Sequence, residues 1–485
     1  MAATQPNIIL ITTDQQRYDT AGAAAPPFMR TPHFDQLARE GITFPRAYTS
    51  CPICVPSRVS IMTGQNVYSH GMTHNGATSD VLGRDHTLPA RLRTCGYQTA
   101  AIGKMHFTPQ RTRHGFDEML LPDDYYRQMQ RDGHSVQPMR HGLGQNEIYP
   151  SMSTVPEAQT LTSWIAEQSA LYVLTRRDPA VPFFLWSSFS KPHPPLDPPE
   201  PYYSMYRDCD IPEPVIGNWR NGDDCPAVFR REQTIWDADQ LDPQTIRAAR
   251  SAYYGLITQV NYNIGRIIAA LSESGLYRET LIIYASDHGE MIGDHRAQAK
   301  TYFYEPSAHV PLVVRLPQSW EDRHHGQQCA ALADLSDILP TLLKAAGGDV
   351  PAEINGMDLV GVARGQIPPR DYLEGMVAGV GQPQGGVNFI AQWGTFYQAI
   401  TDGQWKYIWY PEGGCEQLFN IETDPAEATN LVEKHPDHRD RLRDELIRRR
   451  GDLQQRPVLD INEHDLRNIY RLGCTMEISD HDIRH

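Results

Sequence analysis

The apolar residues of this chain come in short, unbroken runs. Residues 7–13, 98–102, 181–188 and 281–286 are runs of mostly apolar and β-branched residues with no polar alternation. Such runs predict strands buried on both faces, as in a parallel sheet covered by helices. Residues 42–48 and 310–316 predict two further strands. Between them the spacing turns helical. Thr31 and Pro32 serve as N-cap and first helical residue, Phe34 and Leu37 form an apolar face, and Gly41 stops the helix. Residues 88–95 are helical up to Gly96, and residues 158–176 have helical spacing. Asp242 and Pro243 open a long helix reaching about Ser274 and stopped by Gly275. Residues 335–346 form a helix that Pro340 is expected to kink. Residues 107–155 are polar and irregular, an insertion on the substrate side, and residues 197–240 are a loop rich in Pro and Asp. Strand–helix alternation gives a predominantly parallel α/β sheet with helices on both faces.

After about residue 370 the pattern changes. Residues 395–400 and 404–410 read as two strands joined at Thr401-Asp402-Gly403, and residues 415–421 as a third, with one amphipathic helix over 437–450. The expected organisation is therefore a catalytic α/β body over 1–370, a small antiparallel sheet with a helix over 371–450, and a polar tail over 451–485.

The strand ends carry the chemistry. Asp14 follows the first run, Lys104 and His106 the second, Lys191, Pro192 and His193 the third, and Asp287 and His288 the fourth. Open α/β sheets bind ligands at the C-terminal ends of their strands. The segment Cys54-Val55-Pro56-Ser57-Arg58, running on to Thr63-Gly64, stands apart. Pro56 suits a first helical turn, which puts Cys54 at a helix N-terminus, where an anion is favoured, and Arg58 within one turn of it. Cys51 and Cys54 form a C-x-x-C, open to a reduced buried pair or to a redox or half-zinc motif. No second C-x-x-C completes a zinc site.

Of the 485 residues, 40% are hydrophobic and 21% charged, enough for a sizeable core. The net charge of −15 argues against nucleic-acid binding, so an anionic substrate needs a local basic pocket. With no apolar leader and no run long enough to span a bilayer, the chain is expected to be cytoplasmic with no membrane partner.

Cys54-Val55-Pro56-Ser57-Arg58 with Thr63-Gly64 resembles the signature of the type I, formylglycine-dependent sulfatases of the alkaline-phosphatase-like superfamily. The resemblance extends in order through residues 7–14, 31–35, Gly103-Lys104-Met105-His106, Lys191-Pro192-His193, Ser286-Asp287-His288-Gly289, 418–425 and Asn430-Leu431. It implies the alkaline-phosphatase-like fold and sulfuric-ester hydrolysis. It implies that Cys54 is oxidised to formylglycine by a formylglycine-generating enzyme and that the hydrated aldehyde attacks sulfur. The second hydroxyl of that gem-diol then provides an exit that a serine lacks. It places Asp14, Gln15, Asp287 and His288, with the modified Cys54, around a divalent metal, calcium by resemblance, with Mn²⁺ or Mg²⁺ as alternatives. Arg58 would hold the formylglycine, and Lys104 and His106 would flank nucleophile and sulfate. His193 and Lys300 would contact the sulfate on the leaving-group side, His193 as general acid. His74 and Asn75 lie where relatives contact substrate, although Asn75 equally suits a turn before Gly76. Phosphonate monoester or phosphodiester hydrolysis is the nearest alternative, and the pair Lys104 and His106 favours sulfate. The leaving group stays open among sugar, aryl and choline. The tail over 451–485 is expected to reach a second copy in a homo-oligomer.

Overall fold

The structure, a computed structural model, describes residues 5–450 apart from 77, 79–80, 84, 135–140, 223, 231–240, 321–323, 379–395 and 412–413. The strands in chain order are β1 (Asn7–Asp14), β2 (Gly41–Thr43), β3 (Ala47–Tyr48), β4 (Gln98–Gly103), β5 (Glu118–Leu120), β6 (Phe183–Pro192), β7 (Thr280–Ser286), β8 (Leu312–Arg315), β9 (Gln327–Gln328) and β10 (Ala333–Asp334). The main sheet runs β5-β4-β6-β1-β7-β8-β2-β9. Only β8 opposes the rest, pairing antiparallel with both β7 and β2. β1 is central, hydrogen-bonded in parallel to β6 and β7.

The unbroken apolar runs are explained by the pleat, since successive side chains point to opposite faces and both faces are covered. Ile8, Leu10, Trp186 and Ile283 pack with Val59 and Met62 of the helix Cys54–Thr63 and with Leu339 and Leu342 of Ile338–Ala345. Ile9, Ile11, Leu185 and Ile282 pack on the other face against Phe34 and Leu37 of Pro32–Glu40, Ile165 of Leu161–Leu171, and Ile264 and Leu271 of Pro243–Glu273.

Several predicted elements are corrected. The strand expected over 42–48 is two: β2 lies in the main sheet and β3 pairs with β10, with Pro45, which has no N–H to donate, between them. The strand expected from Val181 begins at Phe183 and runs on to Pro192, which sits opposite Asp14. The 107–155 insertion contains β5 and the helix Pro122–Arg131. Residues 158–176 open with a 3-10 turn, become helical from Leu161 and end in a π-helical turn, Tyr172–Arg176. Pro340 falls in the first turn of Ile338–Ala345, where its missing N–H has no intrahelical use, so it does not kink the helix.

The smaller sheet has four strands rather than the three expected: β11 (Leu373–Ala378), β12 (Phe396–Thr401), β13 (Trp405–Tyr410) and β14 (Cys415–Asn420), all antiparallel. One face carries Leu442 and Leu446 of the helix Pro436–Arg450 against Trp405, Tyr407 and Leu418. The other face packs Tyr397, Ile408 and Phe419 onto Tyr48, Phe303 and Tyr304 of the larger body. Lys406, on that second face, is buried and lies 2.6 Å from Glu305 and 2.8 Å from Glu427. Residue 395 and the tail over 451–485, with the oligomer contact expected of it, lie outside the described residues. Among the described residues, no helix is long and apolar enough to cross a membrane.

Candidate active site

The C-terminal ends of β1, β4, β6 and β7 converge on the N-terminus of the helix Cys54–Thr63. That helix is buried from Cys54 to Met62. Its N-cap, Ile53, has no side-chain acceptor, and Asn75 supplies one from the following loop: its Oδ1 accepts from the Val55 N–H at 3.0 Å. His74, beside it, is exposed. At its other end the helix closes on Gly64 in the left-handed region, φ 68°, where a Cβ would lie 2.9 Å from Ile354.

Asp14, Cys54, Asp287 and His288 each offer a ligand atom, and these atoms all lie within 4.8 Å of one another in a fully buried group. Cys54 Sγ, which marks where the formylglycine oxygens would lie, is 3.8 Å from Asp14 Oδ1 and 3.2 Å from His288 Nε2. His288 Nδ1 faces the Gly289 carbonyl at 2.9 Å, so Nδ1 carries the proton and the Nε2 lone pair points into the group. Burial first, and then the neighbouring Asp14 carboxylate, push Asp287 up to about 6. Burial opposes ionisation of Asp14 too, but Lys104, His193 and Arg58 outweigh it and hold that carboxyl well below the usual range. Two buried carboxylates with one imidazole suit a divalent cation that takes oxygen ligands, and the donor set fits calcium or manganese.

Arg58 ties these strand ends together. Its fully buried guanidinium donates to Asp287 Oδ2 at 2.9 Å, to Ser188 Oγ at 2.8 Å and to the Lys104 carbonyl at 2.5 Å, and lies 3.5 Å from Asp14. Lys104 enters the site because Gly103 lets β4 turn at φ 102° hard against β6, where any Cβ would sit 2.0 Å from the Ser188 carbonyl. The Lys104 ammonium is 2.6 Å from Asp14 Oδ2. His106, also left-handed at φ 62°, lies beside Cys54, and burial followed by Lys104 lowers its pKa. Burial and Asp14 push the Cys54 thiol up, yet Lys300, Lys104 and His288 together bring it well below its ordinary value. The site is therefore built for negative charge on that side chain.

His193 donates from Nδ1 to the Pro194 carbonyl at 2.7 Å, which leaves Nε2 to accept from Lys300 at 3.1 Å. Burial, then Lys300 and Lys104, hold its pKa well below the usual imidazole range. Lys300 also donates to Gln15 Oε1 at 2.6 Å. The Gln15 amide therefore faces Lys300 on one side and, through Nε2, Glu290 on the other. Asp14, Cys54, Arg58, Lys104, His106, His193, Asp287, His288 and Lys300 thus share one buried site with Gln15 at its edge. Asn75 reaches the site through the backbone of the nucleophile helix, and His74 stays outside it. Two residues of this site escaped the sequence analysis, Ser188 and Glu290. Ser188 ends a predicted strand, and Glu290 follows the Asp287-His288-Gly289 motif. Their positions were the available signals, and neither residue type calls attention to itself.

A cleft opens from Lys104 and His193. Tyr125 and Tyr126, from the helix inside the 107–155 insertion, line it, with ring centroids 5.1 Å apart. Two of its charged lining residues pair, Lys191 lying 2.5 Å from Asp197 Oδ1, and the other Asp197 oxygen is 3.2 Å from His141.

The Sulfatase family model matches residues 6–348. The arylsulfatase of Clostridium perfringens (strain 13 / Type A) is 34% identical over 471 residues, covering 92% of this chain and 94% of that protein. The choline-sulfatase of Rhizobium meliloti (strain 1021) is 29% identical over 457 residues, covering 89% and 83% respectively. The crystal structure of the phosphonate monoester hydrolase of Agrobacterium radiobacter superposes with a TM-score of 0.79 at 26% identity, covering 92% of this chain and 95% of that one.

Proposed function

The chain belongs to the sulfatase family and is a sulfuric-ester hydrolase, and we propose that it works through a formylglycine made from Cys54 beside a divalent metal. The observation that carries this reading is the position of Cys54: a buried helix N-terminus, within reach of two carboxylates and His288, and under the combined charge of Lys104 and Lys300. Asp14, Asp287 and His288 would hold the metal, and the resemblance adds Gln15, whose amide here meets Lys300 and Glu290. Calcium fits the oxygen-rich set, with Mn²⁺ or Mg²⁺ as substitutes. The metal would supply Lewis-acid polarisation of a sulfuryl oxygen and acidify the attacking hydroxyl.

The remaining work falls to the side chains. Arg58 fixes Asp287 and the Lys104 backbone, so the charged groups meet the substrate already in place. Lys104 and Lys300 stand on either side of Cys54 and clamp the sulfuryl oxygens. His106, beside Cys54, orients the nucleophile. In the free enzyme His193 is neutral and accepts from Lys300. An incoming sulfate draws the Lys300 ammonium to itself and raises the proton affinity of His193, whose Nε2 then takes a proton from solvent and gives it to the leaving oxygen as general acid. The leaving alcohol occupies the cleft walled by Tyr125 and Tyr126. The paired charges of Lys191 and Asp197 suit an uncharged aryl or sugar ring there.

Mass spectrometry of the peptide containing Cys54, from protein made in its native host, tests the nucleophile. A loss of about 18 Da relative to cysteine is expected, and an unmodified thiol in active protein would refute the mechanism. The likeness to a phosphonate monoester hydrolase, together with Gln15 in place of a carboxylate, supports a second reading, phosphonate monoester or phosphodiester hydrolysis. The charged pair Lys104 and His106 next to the nucleophile favours sulfate. An aryl phosphodiester turned over with a higher kcat/KM than an aryl sulfate would reverse that preference.

A further inference from the structure

We propose that Glu290 is a positioning residue of this site, acting through the Gln15 amide to hold Lys300 against His193. Glu290 is a buried acid that the chemistry above does not use. Its Oε1 accepts from the Ile292 N–H at 3.0 Å and its Oε2 accepts from Gln15 Nε2. Among the described residues, no lysine or arginine side chain pairs with its carboxylate. Arg17 reaches only its backbone carbonyl, at 3.2 Å. A buried carboxylate that forgoes a cation is costly, and here its acceptors serve one backbone N–H and one side-chain amide.

The chemistry of the two neighbours fixes which way that amide points. A carboxylate can only accept and an ammonium can only donate. The Gln15 NH₂ must therefore face Glu290 and its Oε1 must face Lys300, 2.6 Å away. Turned over, the amide would set NH₂ against the Lys300 ammonium, donor against donor, and release it. The Gln15 backbone is fixed independently. Its N–H donates to Asp287 Oδ1 at 3.1 Å, its carbonyl accepts from the Tyr253 hydroxyl at 2.6 Å, and its φ is 73°. The direction of the amide is left for Glu290 and Lys300 to set. Lys300 continues the chain to His193 Nε2 at 3.1 Å. Glu290, Gln15, Lys300 and His193 thus form one line of hydrogen bonds, in which Lys300 donates both to Gln15 and to His193 on the leaving-group side.

Glu290→Met keeps the length of the side chain and removes the acceptor. Because Glu290 acts here within the proposed site, kcat/KM is measured on whichever of aryl sulfate and aryl phosphodiester the wild type turns over faster. A preference for phosphodiester would then overturn the sulfate reading without touching Glu290. Glu290→Met and Gln15→Ala are each expected to lower kcat/KM by roughly 10- to 100-fold, the usual scale for groups that orient a site's direct ligands. If Glu290 acts through Gln15, the double variant loses no more than about twofold beyond Gln15→Ala alone. Independent, multiplying losses would overturn the proposal, as would a folded Glu290→Met enzyme with wild-type kcat/KM. A crystal structure of Glu290→Met supplies a readout apart from turnover. The Gln15 amide should be displaced and Lys300 detached from it, and an unchanged Gln15–Lys300 bond would equally refute the role. Should Glu290→Met fail to fold, Glu290→Gln replaces it in the same cycle. Its single amide oxygen cannot serve both Ile292 N–H and Gln15 Nε2, so a loss that vanishes in the Gln15→Ala background is again expected, and a loss that persists there overturns the proposal.

Discussion

Arg58 shows how much of the site rests on one side chain. A single planar fork reaches a carboxylate from β7's end, a serine from β6 and a carbonyl from β4's end. Lysine can carry the charge but cannot donate in those directions at once. Arg58→Lys is therefore expected to fold and to lose roughly 100-fold in kcat/KM, about 2.7 kcal/mol of transition-state stabilisation, measured under metal saturation. Asn75 makes the opposite case. Its Oδ1 caps the Val55 N–H, a task Ile53 cannot perform. Asn75→Ala should lower unfolding stability by about 1 kcal/mol in a urea titration. A changed KM at unchanged stability would instead return Asn75 to a substrate-binding role.

At the scale of elements, the buried strands were legible because both faces of the sheet are covered, so residues such as Ile8, Ile9, Leu10 and Ile11 advertise themselves without alternation. The strand-end positions of Asp14, Lys104 and Asp287 followed from those runs. Lys300 could not be found this way. It follows no strand, and its neighbours Ala299 and Thr301 hold left-handed φ angles of 61° and 94° that the sequence does not signal. β11 was missed because Glu374 and Gly375 break its apolar pattern, although Glu374 is buried and paired with Arg449 at 2.9 Å. The loops after β1 and β7 are joined to the long helix Pro243–Glu273 by charge as well as by the packing of Ile292. Asp294 lies 2.6 Å from Arg17 and 2.7 Å from Arg250, all buried. Burial alone would raise the Asp294 pKa, but Arg17 and Arg250 outweigh it and bring it down to about 2. A carboxyl depressed in the folded state stabilises the protein above its unfolded pKa, and that stabilisation is lost as pH falls through the folded value. Asp294→Asn should thus cost about 3–5 kcal/mol near neutral pH, since the buried Arg250 guanidinium loses its carboxylate and Arg17 is left with Asp19 alone. The part due to ionisation, about 2.5 kcal/mol, should disappear between roughly pH 4 and pH 2 when denaturant midpoints of the two proteins are compared.

At the scale of the whole molecule, the proposed metal group joins the β1 and β7 ends to the helix Cys54–Thr63, so occupancy should be felt in global stability. A cation that binds only the folded chain adds about 2.7 kcal/mol when present at a hundred times its dissociation constant. Calcium should raise the thermal midpoint and a chelator should reverse it. A midpoint indifferent to calcium, manganese and magnesium would remove the metal from this account. The two sheets share one continuous apolar contact through Tyr304, Phe419 and Ile408, with Lys406 locked between Glu305 and Glu427 inside it. The body and the smaller sheet are therefore expected to melt in a single transition.

The burial of Cys54 also imposes an order of events. The side chain is 1% exposed, and the residues around it up to Met62 are covered by the body they help to close. An enzyme that must grasp this segment to oxidise the thiol cannot reach it once the chain has folded. The proposed modification would have to come first, on the nascent or unfolded chain, and a molecule that folded too soon would keep its thiol. Folded, unmodified protein incubated with a formylglycine-generating enzyme should stay unmodified, whereas a peptide spanning residues 49–65 should be converted. Conversion of the folded chain at the peptide's rate would show that the helix opens far more readily than its packing implies.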